Sequence, residues 1–244
     1  MSKNKENNIK QFERLNSHFG QLNLNIKQGE MLNLESISIV SHRHGCKVNF
    51  FNSNTSNAIN EFPNSLALVF ASAKNPGGGV LRGSIAQEED ISRTTTWYFQ
   101  VKDNPFYSIK HKDLMYSSYS VYVKNCYLLM DDYGNIINPK NISLIGIAAP
   151  NLKGMYNNNS KIDINSIYQV YKQRLRYLFS FAKKENYENL ILGAWGCGVF
   201  GLDTAVVASI YNEVINEKLY TGNVVFAIPD INVLTVFQNK IKDH

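Results

Sequence analysis

Two kinds of hydrophobic pattern alternate along the chain. Short continuous apolar runs, such as residues 66–71, are typical of strands that are buried on both faces of a sheet. Longer stretches, such as residues 164–182, repeat apolar positions every three or four residues, which predicts amphipathic helices. Because the two patterns alternate through most of the chain, the sequence predicts a layered α/β domain.

The same patterns predict the individual elements. We expect strands, or for 116–127 a strand or hairpin, over residues 36–40, 46–51, 66–71, 116–127, 143–149, 189–194 and 223–228. We expect helices over residues 8–19 and 84–98, after Asp163, from Asp203 to about residue 218, and over 232–241. Ser84 and Gln87 have the spacing of a capping box, which places the start of the second helix at Ser84. Loops are expected over residues 103–113 and 153–160.

The length and the composition narrow the class of protein. A chain of 244 residues fits a single domain over 1–244, with residues 1–50 as an N-terminal extension. No stretch of 18 apolar residues is present, so we expect no membrane span. The first twenty residues lack the apolar block of a secretory signal, and three cysteines are too few for a disulfide framework. We therefore expect a cytoplasmic protein, with export by a signal-less route left open.

The charge balance is mildly basic. The chain carries 25 basic and 20 acidic residues, which gives a formal net charge of +5. Such a balance can attract polyanions, but no run of Lys or Arg is dense enough to predict a nucleic-acid-binding patch.

A glycine triplet follows the predicted strand over residues 66–71. The segment 71–89 reads ASAKNPGGGVLRGSIAQEE, so Gly77, Gly78 and Gly79 lie between a predicted strand and a predicted helix. Each glycine costs about 0.5–1 kcal/mol of chain entropy relative to alanine, but lets the backbone approach a ligand closely. Free N–H groups at such a junction favour an anion such as a diphosphate. A tight structural turn explains the triplet equally well.

Two adjacent glutamates, Glu88 and Glu89, follow Gln87 in the same segment. Neighbouring side chains on a helix diverge by about 100°, so both carboxylates reach one atom only if the helix start is irregular. One carboxylate can orient a substrate hydroxyl while the other does proton chemistry. Alternatively, both are solvated glutamates that the helix dipole stabilises.

A second glycine-rich loop follows the predicted strand over residues 189–194. Its residues from Gly196 to Gly201 fit the dinucleotide-binding pattern G-x-G-x-x-G. The fit is weak, because no acidic residue lies about 20 residues further on at the end of a strand. A second phosphate-binding loop explains the same glycines. In that loop Phe200 either covers the ligand or packs in the core, and Cys197 is a small residue near the ligand.

The two glycine loops together indicate a ligand-binding site more strongly than either loop does alone. Both follow buried strands, and ligands of α/β sheets bind in the crevice outside the carboxyl ends of the strands. Two facing loops can hold a diphosphate between them, which places Glu88 and Glu89 near the group attached to it.

The triplet, followed by seven residues and then Gln-Glu-Glu, resembles the signature of poly(ADP-ribose) glycohydrolases. The surrounding FASAKNPGGG is similar to the microbial type of that family. Further similar segments lie in the same order at residues 115–118, 121, 148–151, 192–201 and 224–228. The resemblance covers roughly residues 50–238. It implies a macrodomain, which is a three-layer α/β/α fold with a mixed central sheet that binds ADP-ribose.

The resemblance also implies roles for individual residues. Glu89 is implied as the catalytic acid, and Glu88 as the residue that holds the distal ribose hydroxyls. The implied ligand contacts are Asn75, Gly77, Gly78, Gly79, Val80 and Gln87 in the first segment, and Gly196, Cys197, Gly198, Val199, Phe200 and Gly201 in the second. The implied reaction is hydrolysis of the ribose–ribose O-glycosidic bond of poly(ADP-ribose), with one glutamate as general acid and base.

The expected partners are ADP-ribose, its polymer or an ADP-ribosylated protein, with no cofactor. We expect no metal either, because the alternating His42, His44 and Cys46 have no fourth ligand pattern elsewhere. The family often continues the second loop with Asn-Asp, whereas Leu202 precedes Asp203 here. Two alternatives stay open: a hydrolase of mono-ADP-ribosylated proteins, and a non-catalytic ADP-ribose-binding module. A dinucleotide-dependent oxidoreductase is disfavoured by the late position of the G-x-G-x-x-G pattern.

Overall fold

The computed structural model describes residues 3–161 and 163–242. Its strands are β1 (Glu30–Asn33), β2 (Lys47–Phe51), β3 (Ser65–Phe70), β4 (Tyr119–Met130), β5 (Ile136–Ile147), β6 (Asn189–Leu192) and β7 (Asn223–Ala227). Its α-helices are α1 (Lys3–Gln21), α2 (Thr55–Glu61), α3 (Gln87–Thr94), α4 (Trp97–Val101), α5 (Leu152–Asn157), α6 (Ile164–Lys184), α7 (Thr204–Asn216) and α8 (Ile231–Lys240).

The seven strands form one mixed sheet in the order β1-β4-β5-β3-β6-β7-β2. β4 pairs antiparallel with both β1 and β5, and the other neighbours are parallel. β3 and β6 lie side by side in the centre, with Leu66 opposite Leu190. Their carboxyl ends therefore open at the same edge of the sheet.

Helices cover both faces of the sheet, as the alternation of patterns predicted. In β3, Leu66 and Leu68 face the layer formed by α6, α7 and α8. The alternate residues Ala67 and Val69 face the layer formed by α2, α3 and α4. Because side chains alternate across a strand, a continuous apolar run fills both cores at once. The predicted α/β/α architecture with a mixed sheet is confirmed.

Residues 1–50 contribute, where the structure describes them, one helix and the two edge strands. β1 lies beside β4 at one edge of the sheet, and β2 lies beside β7 at the other. Leu15 of α1 is completely buried against Val80, Leu129 and Met130. The N-terminal segment is therefore part of the same folded body as the sheet.

Three local predictions were wrong. Residues 36–40 form no strand, and the edge strand β1 lies earlier in the chain. The helix predicted over residues 84–98 begins only at Gln87 and breaks between α3 and α4. Residues 153–160 contain most of α5, which begins because the side chain of Asn151 accepts a 2.8 Å hydrogen bond from the Gly154 N–H.

Within the described ranges, no helix combines the length and the apolar character needed to cross a bilayer.

Candidate active site

Two loops leave the sheet at neighbouring positions. The first glycine loop (residues 71–83) follows β3, and the second glycine loop (residues 193–202) follows β6. Since β3 and β6 are adjacent and parallel, both loops rise from the same edge. This is the edge at which α/β sheets bind their ligands.

Glu89 lies in the first turn of α3 and is held by the first glycine loop. The N–H of Gly79 donates a 2.8 Å hydrogen bond to Oε1 of Glu89. A Cβ atom on Gly78 would lie only 2.5 Å from the same oxygen, and Gly78 has a φ of +63°. Glu89 is buried, with 7% of the residue exposed. The glycines are therefore needed so that the backbone can pack directly on this carboxyl group.

Glu88 points into the protein, because adjacent residues of the helix diverge. Its Oε2 accepts a 2.6 Å hydrogen bond from the Ser72 N–H, and its Oε1 accepts from the Gly77 N–H at 3.1 Å. The Tyr107 hydroxyl donates to Oε1 at 3.0 Å, and Trp97 Nε1 donates at 3.4 Å. Burial raises the pKa of Glu88 to about 8, against the lowering effect of the Ser72 N–H and the Tyr107 hydroxyl.

The role that the resemblance implied for Glu88 does not match this geometry. Glu88 is only 2% exposed, and both of its oxygens accept from protein donors. It ties the end of β3 to the glycine triplet, whereas a group that holds ribose hydroxyls must face the ligand.

The first glycine loop uses its own amide groups internally. The Gly77 N–H binds Glu88, the Gly78 N–H binds the Asn75 carbonyl at 2.9 Å, and the Gly79 N–H binds Glu89. The triplet therefore binds the carboxylates of the protein instead of presenting a free cradle to a diphosphate. Asn75 itself is exposed beside the triplet.

Val80 does not lie at the cleft, which corrects its place among the ligand contacts. It is completely buried in the cluster that contains Leu15, and its N–H donates to the Gly77 carbonyl at 3.2 Å. Val80 anchors the far end of the glycine triplet to α1.

Gln87 fastens α3 to the sheet. Its Oε1 accepts a 2.8 Å hydrogen bond from the Phe70 N–H, and its Nε2 donates to the Leu68 carbonyl at 2.7 Å. Its Nε2 also donates to the Thr55 hydroxyl at 3.0 Å. Gln87 lines the cleft, but its amide is committed to holding the helix start against β3. These bonds, and not a capping box at Ser84, decide where the helix begins.

The second glycine loop has the free amide groups that the first one lacks. Among the described residues, no acceptor pairs with the N–H groups of Gly196, Gly198, Val199 and Phe200. A Cβ on Gly198 would meet nothing within 4 Å, so the backbone is open to a ligand there. Successive free N–H groups at a strand–helix junction bind anions, and α7 begins directly after the loop.

The remaining residues of this loop complete the turn. Gly201 closes it through a 3.1 Å hydrogen bond from its N–H to the Gly198 carbonyl, with a φ of +73°. Burial raises the pKa of the Cys197 thiol to about 12, so the thiol stays protonated at neutral pH. This agrees with Cys197 as a small packing residue and not as a nucleophile.

A cleft of about 440 Å³ lies between the second glycine loop and the start of α3. Gln87 and Asp90 line one side of it, on either side of the glutamate pair, and the residues from Trp195 to Phe200 line the other. Ile85 and Val199 stand at its sides with 76% and 72% of their surfaces exposed. The volume is in the usual range for sites that bind small organic molecules.

An aromatic row connects the two loops beyond Phe200. The ring centroid of Tyr116 lies 6.1 Å from that of Phe200 and 5.1 Å from that of His111. Nε2 of His111 lies 3.3 Å from the Ala73 carbonyl in the first glycine loop. The sequence alone assigned no site role to Tyr116 or His111, because their partners are distant in the chain. The positive backbone φ of Tyr116 is the structural feature that indicates a functional role for this residue.

The part of the chain that the structure describes contains no group of three His, Cys, Asp or Glu side chains able to hold a metal ion.

Comparison with known proteins finds one matching family model. The sequence model of the microbial-type PARG catalytic domain, where PARG is poly(ADP-ribose) glycohydrolase, matches residues 10–131. No curated protein matches the chain at a significant level.

Solved structures of the same type of enzyme resemble the whole fold. The PARG of Deinococcus radiodurans in complex with ADP-ribose is 26% identical, with a TM-score of 0.78 over 88% of this chain and 94% of that one. The PARG of Thermomonospora curvata is 25% identical, with a TM-score of 0.77 over 96% and 88% of the two chains. Its complex with the inhibitor ADP-HPD has 25% identity and a TM-score of 0.76 over the same shares.

Proposed function

The chain belongs to the family of microbial-type poly(ADP-ribose) glycohydrolase catalytic domains, and we propose that it hydrolyses the ribose–ribose bonds of poly(ADP-ribose) and releases ADP-ribose. The neighbouring structures with ADP-ribose and with ADP-HPD support this substrate. The observation that carries the proposal is the carboxylate of Glu89, which the Gly79 N–H fixes in the helix turn whose residues Gln87 and Asp90 line the cleft opposite the free amide loop.

Glu89 acts as the general acid and base in this proposal. Cleavage of a ribosyl bond needs a proton on the leaving oxygen and passes through an oxocarbenium-like transition state. Glu89 donates that proton and then takes one from the water that attacks the anomeric carbon. The Gly79 N–H holds Oε1 in one place, so Oε2 is the oxygen left to exchange the proton with the substrate.

The second glycine loop binds the diphosphate. The free N–H groups of Gly198, Val199 and Phe200 supply donors without any cationic side chain. The bound diphosphate fixes the position of the attached ribose, and its negative charge lies close to the developing oxocarbenium ion.

Glu88 is a positioning residue in this mechanism. Glu88 accepts hydrogen bonds from the Ser72 and Gly77 N–H groups, which hold the glycine triplet in contact with Glu89. The two neighbouring glutamates therefore have different roles in the proposal: Glu88 fixes the loop, and Glu89 transfers the proton.

The decisive experiment uses labelled polymer on an automodified protein as substrate. Wild-type protein is expected to release ADP-ribose. The E89Q variant is expected to lose turnover by about 10³-fold or more while it still binds ADP-ribose, because the glutamine oxygen can keep the Gly79 bond. The E213Q variant removes an exposed surface carboxylate on α7 and is the matched control, with unchanged turnover.

Other results decide against parts of the proposal. Turnover by E89Q would exclude Glu89 as the acid. Protection of the polymer by the wild-type protein without release would show a binding module. Release from mono-ADP-ribosylated protein but not from polymer would assign the alternative hydrolase activity.

We propose that the protein acts in the reducing cytoplasm. All three cysteines are free, which agrees with such a compartment. Localisation of the tagged protein by fractionation checks this part.

A further inference from the structure

α6 carries a buried cation that the mechanism above does not use. Arg174 is 1% exposed, and no acidic side chain of the described residues lies within 4 Å of it. Burial lowers the pKa of its guanidinium to about 10, which still leaves it charged at neutral pH. Asp113 and Glu35 act on it through longer-range charge but form no ion pair with it, and a buried charge is costly unless hydrogen bonds satisfy it.

The guanidinium binds three backbone carbonyls beneath the cleft. It donates from Nη1 to the Ala148 carbonyl at 2.8 Å, just beyond the end of β5. It donates from Nη2 to the carbonyls of Met115 and Tyr116, at 2.6 and 3.1 Å. Arg174 therefore fixes the turn that carries Tyr116 to the edge of the sheet where the site lies.

Tyr116 is held in an unfavourable backbone conformation. Its φ is +63°, and among the described residues it is the one aromatic residue with a positive φ. Strain of this kind persists only where surrounding contacts enforce it, and it concentrates at functional sites. The Arg174 bond to the Tyr116 carbonyl is a direct restraint of that sort.

The restraint places the Tyr116 ring in the aromatic row between the loops. One neighbour is Phe200 of the second glycine loop, and the other is His111, which contacts the first glycine loop at Ala73. Asn151 Nδ2 donates to the Tyr116 hydroxyl at 3.3 Å and steadies the ring from a third side. The row therefore runs from Phe200, which lines the cleft, to the first glycine loop, which holds Glu89.

The same face of α6 supports the second glycine loop. The Tyr171 hydroxyl, one turn before Arg174, donates to the Trp195 carbonyl at 3.0 Å. The Tyr168 hydroxyl, one turn earlier again, accepts a 3.1 Å hydrogen bond from the Asp203 N–H. The two tyrosines therefore hold the loop near its start and just after its end. One helix face thus fixes the diphosphate loop and the aromatic row together.

We propose that Tyr116 is a further ligand-binding residue, which walls the pocket of the reacting ribose, and that Arg174 is the positioning residue that holds Tyr116 there. This proposal rests on the proposed function, because the ribose is that of bound ADP-ribose. Arg174 acts through the position of the ring, since the hydrogen bonds that its Nη1 and Nη2 donate all go to backbone carbonyls.

A double-mutant cycle on the full chain tests the proposal. R174M keeps the apolar stem and removes the charge and the hydrogen bonds. Y116G removes the ring, and glycine adopts a φ of +63° without strain, so this variant is expected to fold. R176M is the matched control: it makes the same substitution two residues away, on a side chain that pairs at the surface with Glu217.

The readouts are the Kd of ADP-ribose by calorimetry, kcat and KM on polymer, and the Tm. R174M and Y116G are each expected to weaken ADP-ribose binding by about tenfold, and the double variant by no more than the larger single effect. R176M is expected to match the wild type in Kd, kcat and KM. Y116F keeps the ring and is expected to retain binding.

Several outcomes would overturn the inference. Unchanged Kd in Y116G excludes Tyr116 as a ligand wall, even if R174M fails to fold. A lower Tm with unchanged Kd in R174M, or effects of the two substitutions that multiply, excludes positioning through Tyr116. Failure of the proposed function shows itself separately, as absence of ADP-ribose release by the wild-type protein.

Discussion

The N–H of Gly79 donates a 2.8 Å hydrogen bond to Oε1 of Glu89. This bond changes the structural interpretation of the glycine triplet. Glycines between a strand and a helix suggest a phosphate cradle, yet here the backbone N–H groups bind the glutamates of the helix that follows. The free cradle lies one strand away, in the second glycine loop. In the proposed mechanism, acid–base chemistry and anion binding are thus divided between two neighbouring loops.

Substitution of Gly78 by alanine is expected to damage catalysis more than stability. A Cβ at this position would lie 2.5 Å from Oε1 of Glu89, so the carboxyl group must move. We expect G78A to lower kcat by roughly 10–100-fold, because small misplacements of a catalytic group are costly. Steady-state rates on polymer, with the Tm of each variant, measure the effect.

Gly134 provides the control for backbone strain. It has a φ of +79°, like that of Gly78, but its nearest neighbour to an added Cβ is 3.8 Å away in Gln11. G134A and G78A are both expected to lose about 1–2 kcal/mol of stability from the positive φ. Equal kcat values for the two variants would show that Gly78 is needed only for the backbone conformation of the turn and not for the position of the Glu89 carboxylate.

Glu88 is expected to make stability depend on pH. Its pKa is about 8 in the folded protein, against 4.5 as its ordinary value. Between these values the folded state keeps a proton that the unfolded state has released. The stabilising contribution is therefore complete below about pH 4.5 and is lost as the pH rises through about 8.

The E88Q variant isolates this contribution, because glutamine does not titrate. We expect the free energy of unfolding of the wild type, relative to E88Q, to fall by about 2–5 kcal/mol between pH 4.5 and 8.5. Urea denaturation at several pH values measures the difference. Parallel stability curves for the two proteins would mean that Glu88 is ionised in the folded state throughout this range.

The central strands could be predicted from the sequence because burial on both faces leaves a continuous apolar run. β3 and β6 show this pattern, and the loops after them were predicted to share one edge. The start of α3 could not be predicted, because it depends on hydrogen bonds between the Gln87 side-chain amide and the backbone of Phe70 and Leu68 in β3. A tertiary contact overrode a local capping pattern that was compatible with Ser84.

The role proposed for Glu89 follows from its motif, but the burial of Glu88 could not be predicted from it. The donors to Glu88 come from Ser72, Gly77, Trp97 and Tyr107, which lie between 9 and 19 residues away. No periodic pattern relates such positions. The same holds for Arg174: the helical repeat places it on the buried face between Tyr171 and Leu178, but its acceptors lie in distant turns that no repeat relates to it.

Substitution of Gly198 by alanine is expected to weaken ligand binding without loss of stability. An added Cβ meets no protein atom within 4 Å, and Gly198 lines the cleft in which we propose that the diphosphate binds. We expect the Kd of ADP-ribose to rise by about tenfold, as measured by calorimetry. G45A is the control: its nearest neighbour is 3.7 Å away in Lys218, outside the cleft. If both variants bind like the wild type, the diphosphate does not lie on Gly198.

The N-terminal helix α1 is expected to support the active site as well as the core. Leu15 and Val80 are both completely buried in one cluster, and Val80 directly follows the glycine triplet that holds Glu89. L15A should cost about 2–5 kcal/mol of unfolding free energy through the cavity it leaves. L219A removes an equally buried leucine from the opposite core and should cost a similar amount.

At a temperature where both variants are fully folded, only L15A is expected to lower kcat, by roughly 3–10-fold, because its cavity loosens the loop beside the proposed catalytic carboxyl group. Equal kcat values for L15A and L219A would confine α1 to a stabilising role.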